Sequence, residues 1–251
     1  MTVLRPVIIA VGLIAGWQII VLATGVPTYI LPGPAQVATV WMDRLPLILG
    51  HLGHTAAEIL LGLLGGTLLG AVSAISMAAF RPARRWLLPV LVVSQAIPVF
   101  ALAPLLVLWL GYGMASKVAM AILIIYFPVT AAFYDGLRRT EPGWLDLAQT
   151  MGASPARRLW FIRLPAALPA FGSGLRIATA VAPIGAVVGE WVGSSAGLGY
   201  LMLHANGRMQ IDLMFAALVT LAILAVTLYF IVDFLVRWGL PWQPDPVDAP
   251  A

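Results

Sequence analysis

A succession of long apolar runs, almost free of charge, decides what this chain can fold into. A helix needs about 20 mostly apolar residues to cross the hydrocarbon of a bilayer. Six stretches meet that requirement: 6–24, 55–79, 86–110, 116–135, 170–192 and 213–236. Of the 251 residues, 61% are hydrophobic and only 10% are charged, whereas soluble domains carry roughly 25% charged residues. A soluble core cannot hide that much apolar side chain, so the bilayer must act as solvent for much of it. The expected fold is all-α: a polytopic membrane protein of about six transmembrane helices. The first run follows Arg5 and has no convincing small-x-small cleavage site, and a second run follows it, so it is expected to be retained.

Orientation follows from the positive charges. With the N-terminus in the cytoplasm, Arg5, Arg81, Arg84, Arg85, Arg138, Arg139, Arg157, Arg158, Arg163 and Arg237 fall inside. Arg44, Lys117 and Arg208 fall outside, and Arg176 lies just within the fifth run, where a structural or snorkelling role is expected. Both termini are therefore expected in the cytoplasm, with a single transmembrane domain over 1–240 and a proline-rich tail over 241–251. The net charge of +4 does not point to nucleic acid, because the arginines sit in short clusters between apolar runs. The absence of cysteine excludes disulfides and thiol chemistry. Segment 25–54, with Pro27, Pro32, Gly33, Pro34 and Pro46, reads as an external loop with a short interfacial helix. His51 and His54 read as interfacial histidines at a helix start rather than as a metal pair.

Two runs carry stripes of small residues at four-residue spacing: Gly62, Gly66, Gly70, Ala74 and Ala78 in one, and Gly174, Ala178, Ala182 and Ala186 in the other. Such stripes let helix backbones approach closely in lipid. Pro89, Pro98 and Pro104 in the third run and Pro183 in the fifth predict kinks.

The loop 136–169 is too long for a turn and is internally organised. Pro142 suits a first helical turn, and Trp144, Leu145, Leu147, Ala148 and Met151 follow as an apolar face. Gly152 is placed to end that helix in a left-handed conformation. Ser154 and Pro155 form an N-cap and first-turn pair. A second helix with Arg157, Arg158 and Arg163 is expected to run to Leu164 and to stop at Pro165. Two short amphipathic helices suit docking to a partner; they also suit lying on the membrane surface.

At this point the sequence resembles bacterial ABC importer permeases. Their cytoplasmic "EAA" motif reads Glu-Ala-Ala, three residues, Gly, nine residues, then Ile-x-Leu-Pro. This chain has Asp146-Leu147-Ala148, then Gly152, then Ile162-Arg163-Leu164-Pro165, at the same spacings. The resemblance implies that Asp146, Ala148, Gly152, Arg158, Ile162, Leu164 and Pro165 belong to a coupling helix that fits a groove on a separate ATPase subunit. Leu31-Pro32-Gly33-Pro34, the pattern Ile97-Pro98 … Ala103-Pro104-Leu105 … Trp109-Leu110-Gly111, and Gly197-Leu198-Gly199-Tyr200 look like the nitrate/sulfonate/taurine type of permease. The segments 94–100 and 189–193 look most like permeases assigned to pyrimidine precursors of thiamine. The resemblance further implies two permease copies, two ATPase copies, a substrate-binding protein that is periplasmic or lipid-anchored, and a place in the bacterial inner membrane.

No Gly-Lys-Ser/Thr phosphate cradle is present, and the single lysine, Lys117, follows Ser116. ATP and magnesium are therefore expected on the partner ATPase, with no cofactor in this chain and no catalytic constellation. Polar groups at membrane depth usually face a cavity or a partner. Ser94, Gln95, Tyr126, Glu190 and Trp191 are the candidates for the translocation path, with Gln95 and Glu190 expected to line or gate it. The acidic residues read as lying near span ends rather than as a buried pair, and His204 and Asn206 as lying in a loop. A secondary transporter driven by an ion gradient would call for inverted repeats and carboxylates in mid-span; neither is evident.

Overall fold

The computed structural model describes residues 4–242, and every regular element among them is helical. In chain order these are α1 (Leu4–Thr24), α2 (Pro34–Asp43), α3 (Leu45–Ala79), α4 (Arg81–Ala96), α5 (Val99–Leu110), α6 (Met114–Arg138), α7 (Pro142–Thr150), α8 (Pro155–Arg158), a π-helical turn (Leu159–Arg163), α9 (Leu164–Gly193), α10 (Leu198–Gly207) and α11 (Ile211–Gly239). Of the expected tail 241–251, residues 243–251 lie outside the described residues.

The small-residue stripes explain why α6 sits at the centre, flanked by α3 and α9. Gly62 of α3 lies against Ala121, Gly66 against Ile125, and Gly70 against Val129 and Thr130. From the other side Gly174 of α9 meets Ala132 and the Pro128 carbonyl, and Gly185 meets the Ala121 backbone. Lipid tails are as apolar as leucine, so helices in a bilayer gain little by hiding apolar side chains from each other. Close backbone approach and dispersion supply the attraction instead. The buried residues form three clusters along this stack. Ile48, Leu198, Leu201 and Ala216 occupy one end, Ile59, Ile125 and Ala182 the middle, and Met77, Phe133, Leu137 and Ala167 the other end. α11 packs on α9, and Arg176 of α9 donates to Asp233 of α11 at 2.6 Å. Asp233 also pairs with Arg237 at 2.9 Å. Arg176 is thus a structural residue, as its position in the sequence implied.

The all-helical, multi-span fold expected from the apolar runs is observed, with four to five candidate membrane spans among the described residues. Among the described residues four helical stretches are each long and apolar enough to cross a membrane, Leu45–Ala79, Met114–Arg138, Pro155–Gly193 and Ile211–Gly239, and a bent helix pair makes a fifth candidate span. The third apolar run is two helices, α4 and α5, bent by 104°. Pro98 causes the break. It has no N–H to give, its ring crowds the preceding turn, and the residue before it is driven out of the helical region; Ile97 accordingly sits at φ −87, ψ 119. The first run is a helix, α1, of 21 residues; at 1.5 Å per residue it reaches about 31 Å, matching the ~30 Å of hydrocarbon. α3 begins ten residues before the expected 55, so His51 and His54 lie within it.

Gly174 gives a direct test of this stack. A Cβ there would lie 2.7 Å from both the Ala132 Cβ and the Pro128 oxygen, closer than carbon contacts allow. Gly174→Val should lower stability in detergent by about 1–3 kcal/mol, read as a lower midpoint for loss of the monodisperse peak. Gly12→Val, on the open face of α1 with nothing within 4 Å, should leave that midpoint unchanged.

Candidate functional site: the two ends of the helical bundle

The loop after α6 is built by local chemistry. α7 ends at a glycine in the left-handed region, Gly152 at φ +77. Two bonds close the end: Gly152 N–H donates to the Gln149 carbonyl at 3.0 Å and Ala153 N–H to the Ala148 carbonyl at 2.9 Å. These are the 5→2 and 6→1 bonds of a Schellman motif. α8 then starts at Ser154, whose Oγ accepts from the Arg157 N–H at 3.3 Å. Arg158 ties the two helices together by donating to Gln149 Oε1 at 2.7 Å.

Pro165 does not stop the second helix, contrary to expectation. The backbone widens into the π turn, where the Leu164 N–H reaches back to the Leu159 carbonyl. Pro165 therefore falls in the first turn of α9, where a missing N–H costs little. The helical path from Pro155 to Gly193 is continuous, so the fifth span starts well before the expected 170. Arg163, absent from the expected site, fastens this turn to the bundle. Its Nε and Nη2 donate to the Leu137 carbonyl at 3.0 and 2.8 Å, and Nη1 reaches the Ala78 carbonyl at 3.4 Å. Those carbonyls lie in the last turns of α6 and α3, where helices leave acceptors unsatisfied. Of the expected coupling residues, Ala148 is buried, Arg158, Ile162 and Leu164 are half-buried, and Asp146, Gly152 and Pro165 are exposed. Trp144, Leu147, Met151, Trp160 and Phe161 are exposed beside them. An open apolar groove runs between Trp144, Phe161, Ile162, Pro165 and Trp242.

At the opposite end a buried carboxylate organises the backbone. Residues 198–207, expected in a loop, form α10. A helix start leaves N–H groups without partners inside the helix, and here four consecutive ones are accepted by side chains of α3 and α9. Gly197 N–H donates to His51 Nδ1 at 3.0 Å and Leu198 N–H to Thr55 Oγ1 at 2.7 Å. Gly199 N–H and Tyr200 N–H both donate to Glu190 Oε2. Thr55 in turn donates to Glu190 Oε1 at 2.6 Å. A carboxylate at a helix N-terminus is also favoured by the helix dipole. The closeness explains the glycines. A Cβ on Gly199 would lie 2.7 Å from Glu190 Oε2, and one on Gly197 (φ +110) would overlap the carboxyl itself.

Acidic groups are therefore not confined to span ends, as expected, and Lys117 is not a loop charge. Glu190 is 1%, Lys117 2% and Glu58 3% exposed, with Glu58 beside Glu190. Lys117 Nζ donates to three carbonyls: Tyr112, Gly113 and, at 2.7 Å, Gly193. It ties the start of α6 to the end of α9.

Glu190, expected to line or gate the path, is instead enclosed and fully engaged. Trp191 is exposed while its neighbour Glu190 is buried. Gln95 is exposed in the last turn of α4, at the break, and Ser94 Oγ donates to the Leu91 carbonyl at 2.7 Å. Tyr126 is half-buried and packs with the cluster around Phe133. The five thus lie on three helices, α4, α6 and α9. Removing the carboxyl tests the cap. Glu190→Ala leaves buried N–H groups unpaired, at about 1–3 kcal/mol each. Amide exchange over 197–207 should speed up strongly while the middle of α6 stays protected. Unchanged exchange in 197–207 would contradict the assignment.

Residues 66–242 match the family described as binding-protein-dependent transport system inner membrane component. A probable ABC transporter permease protein of Haemophilus influenzae is 58% identical over 93% of this chain and 96% of its own. The formylaminopyrimidine transport permease protein ThiX of Halalkalibacterium halodurans is 37% identical over 96% of both chains. In fold the chain is similar to a subunit of the inward-facing MetNI methionine ABC transporter, with a TM-score of 0.67 and 19% identity over 78% of this chain and 97% of that one. The chain belongs to the inner membrane components of binding-protein-dependent transport systems and is a multi-pass permease subunit of an ABC importer.

Proposed function

We propose that this permease sits with both termini in the cytoplasm, docks its ATPase through α7 and α8, and passes a pyrimidine precursor of thiamine. The observation that carries the docking is the pairing of an exposed apolar surface with a rigid mount. Met151 is 78% and Phe161 77% exposed, yet the backbone beneath them is closed by the Schellman bonds and strapped to α3 and α6 by Arg163. A loop that only rests on lipid needs no such strap. A push on α7 would pass through the Arg158–Gln149 bond and the π turn into α9, and through Arg163 into α6. Asp146, Ala148, Gly152, Arg158, Ile162, Leu164 and Pro165 are the coupling residues in this reading. ATP and magnesium bind to the separate ATPase, two copies of which serve two copies of this chain, with a periplasmic or lipid-anchored binding protein delivering substrate.

Ser94, Gln95, Tyr126 and Trp191 remain the path candidates, Gln95 foremost because it sits at the α4–α5 break, where backbone carbonyls lose their helical partners. Glu190 acts behind the path, by holding α10. The pyrimidine substrate rests on the full-length likeness to ThiX.

Uptake measures both parts. Cells carrying the complete system should accumulate labelled formylaminopyrimidine; failure to do so, with the complex assembled and hydrolysing ATP, would remove this substrate. Gly152→Asp places a side chain on a left-handed backbone, at about 1–2 kcal/mol, beside the docking surface. It should leave the permease inserted at near-normal levels while uptake falls and the ATPase no longer co-purifies, or hydrolyses without transport. Normal co-purification and uptake would mean that this loop is not the coupling element.

A further inference from the structure

Between the start of α3, α10 and the start of α11 lies a cleft of about 250 Å³. Its polar lining comes from Arg44, His51, Tyr200, His204, Arg208 and Gln210. Among the described residues no carboxylate lines it. Asp43 and Asp212 neighbour the lining in sequence but do not belong to it, and Asp212 Oδ1 is already engaged by the Leu213 N–H at 2.8 Å. Guanidinium groups can only donate hydrogen bonds. Among the described residues, neither the Arg44 nor the Arg208 side chain has a hydrogen bond or an ion pair.

The wall between the two arginines is ordered in advance. The rings of His51, Tyr200 and His204 form a ladder, with centroids 5.8 and 4.2 Å apart. Gly197 N–H occupies His51 Nδ1, so the neutral ring carries its proton on Nε2 and that nitrogen is a donor. Tyr200 and His204 stand on α10, which the Glu190, Thr55 and His51 cap fixes against α3 and α9. Binding here does not have to pay for ordering the wall.

We propose that this cleft is a binding site for one oxyanionic group: a carboxylate, sulfonate or phosphate. Two unpaired guanidinium groups with further donors, no competing carboxylate and a preformed wall are the chemistry that recognises such a group. The volume admits a small anion or a head group rather than a large organic ligand. The site stands on the geometry of this chain and is independent of the substrate proposed above. Two sources carry the same chemistry, a free anion and the head group of an anionic lipid.

Leu47 also lines the cleft and is exposed, and the chain has no cysteine, so Leu47→Cys reports on occupancy. The complete permease–ATPase complex would be placed in phosphatidylcholine nanodiscs and treated with the anionic reagent sulfonatoethyl methanethiosulfonate or its trimethylammonium analogue. The anionic reagent should react faster, and inorganic phosphate, against sodium chloride at matched ionic strength, should slow it about tenfold or more. If a lipid head group is the occupant, phosphatidylglycerol nanodiscs should give that protection without phosphate. Arg44→Gln with Arg208→Gln should weaken protection from either source by about tenfold or more, the loss expected for charge-assisted bonds. The background for that pair is sound, because neither arginine holds another residue. Equal rates for both reagents with no protection in either lipid would overturn the proposal, as would protection that survives the double substitution.

Discussion

The close seating of α6 between α3 and α9 is the contact on which the rest of the structure depends. Without a hydrophobic drive between helices in lipid, the bundle relies on how near backbones can come. Gly62, Gly66, Gly70 and Gly174 are placed where any side chain would strike α6. Glycine is a poor helix former, at roughly 1 kcal/mol relative to alanine, so these positions give up intrinsic helix stability for proximity. The result is a three-helix core that runs from one end of the molecule to the other. Both functional ends are attached to it.

The two ends are attached by the same device, a side chain that satisfies backbone groups which helix termini leave over. At one end Glu190, Thr55 and His51 accept the N–H groups that begin α10. At the other, Arg163 donates to carbonyls in the last turns of α6 and α3. Lys117 adds a third such tie, to the Gly193 carbonyl. Buried charges in lipid are tolerated when each is hydrogen-bonded, and these bonds join separate elements rather than neighbours in sequence. The loop and α10 are therefore each held to the helices by direct hydrogen bonds.

The sequence made legible whatever local chemistry determines. Gly152 and Ser154 mark a stop and a start through their own backbone and side-chain bonds, and the structure forms both. The stripes in α3 and α9 predict contact because spacing alone puts them on one face. Pro98 predicts a kink, though not one of 104°, since the angle depends on what α4 and α5 pack against. Pro165 misleads because the rule that proline ends a helix assumes regular bonding; a π turn changes the bonding just before it. The α10 cap was not legible. Thr55 and Glu190 are 135 positions apart, and nothing in either segment announces the other. In hindsight Gly197 and Gly199 are the signal, two glycines that clear space for a carboxyl.

The central claim is that an exposed loop of this permease is covered by a separate ATPase. Met151 lies on that loop, next to Gly152, with its side chain open. Met151→Cys in this cysteine-free chain can be labelled with a maleimide in membranes made with and without the ATPase subunit. The account predicts fast labelling of the permease alone and protection once the ATPase is bound. Equal labelling in the two preparations, with the complex shown to be assembled, would contradict it.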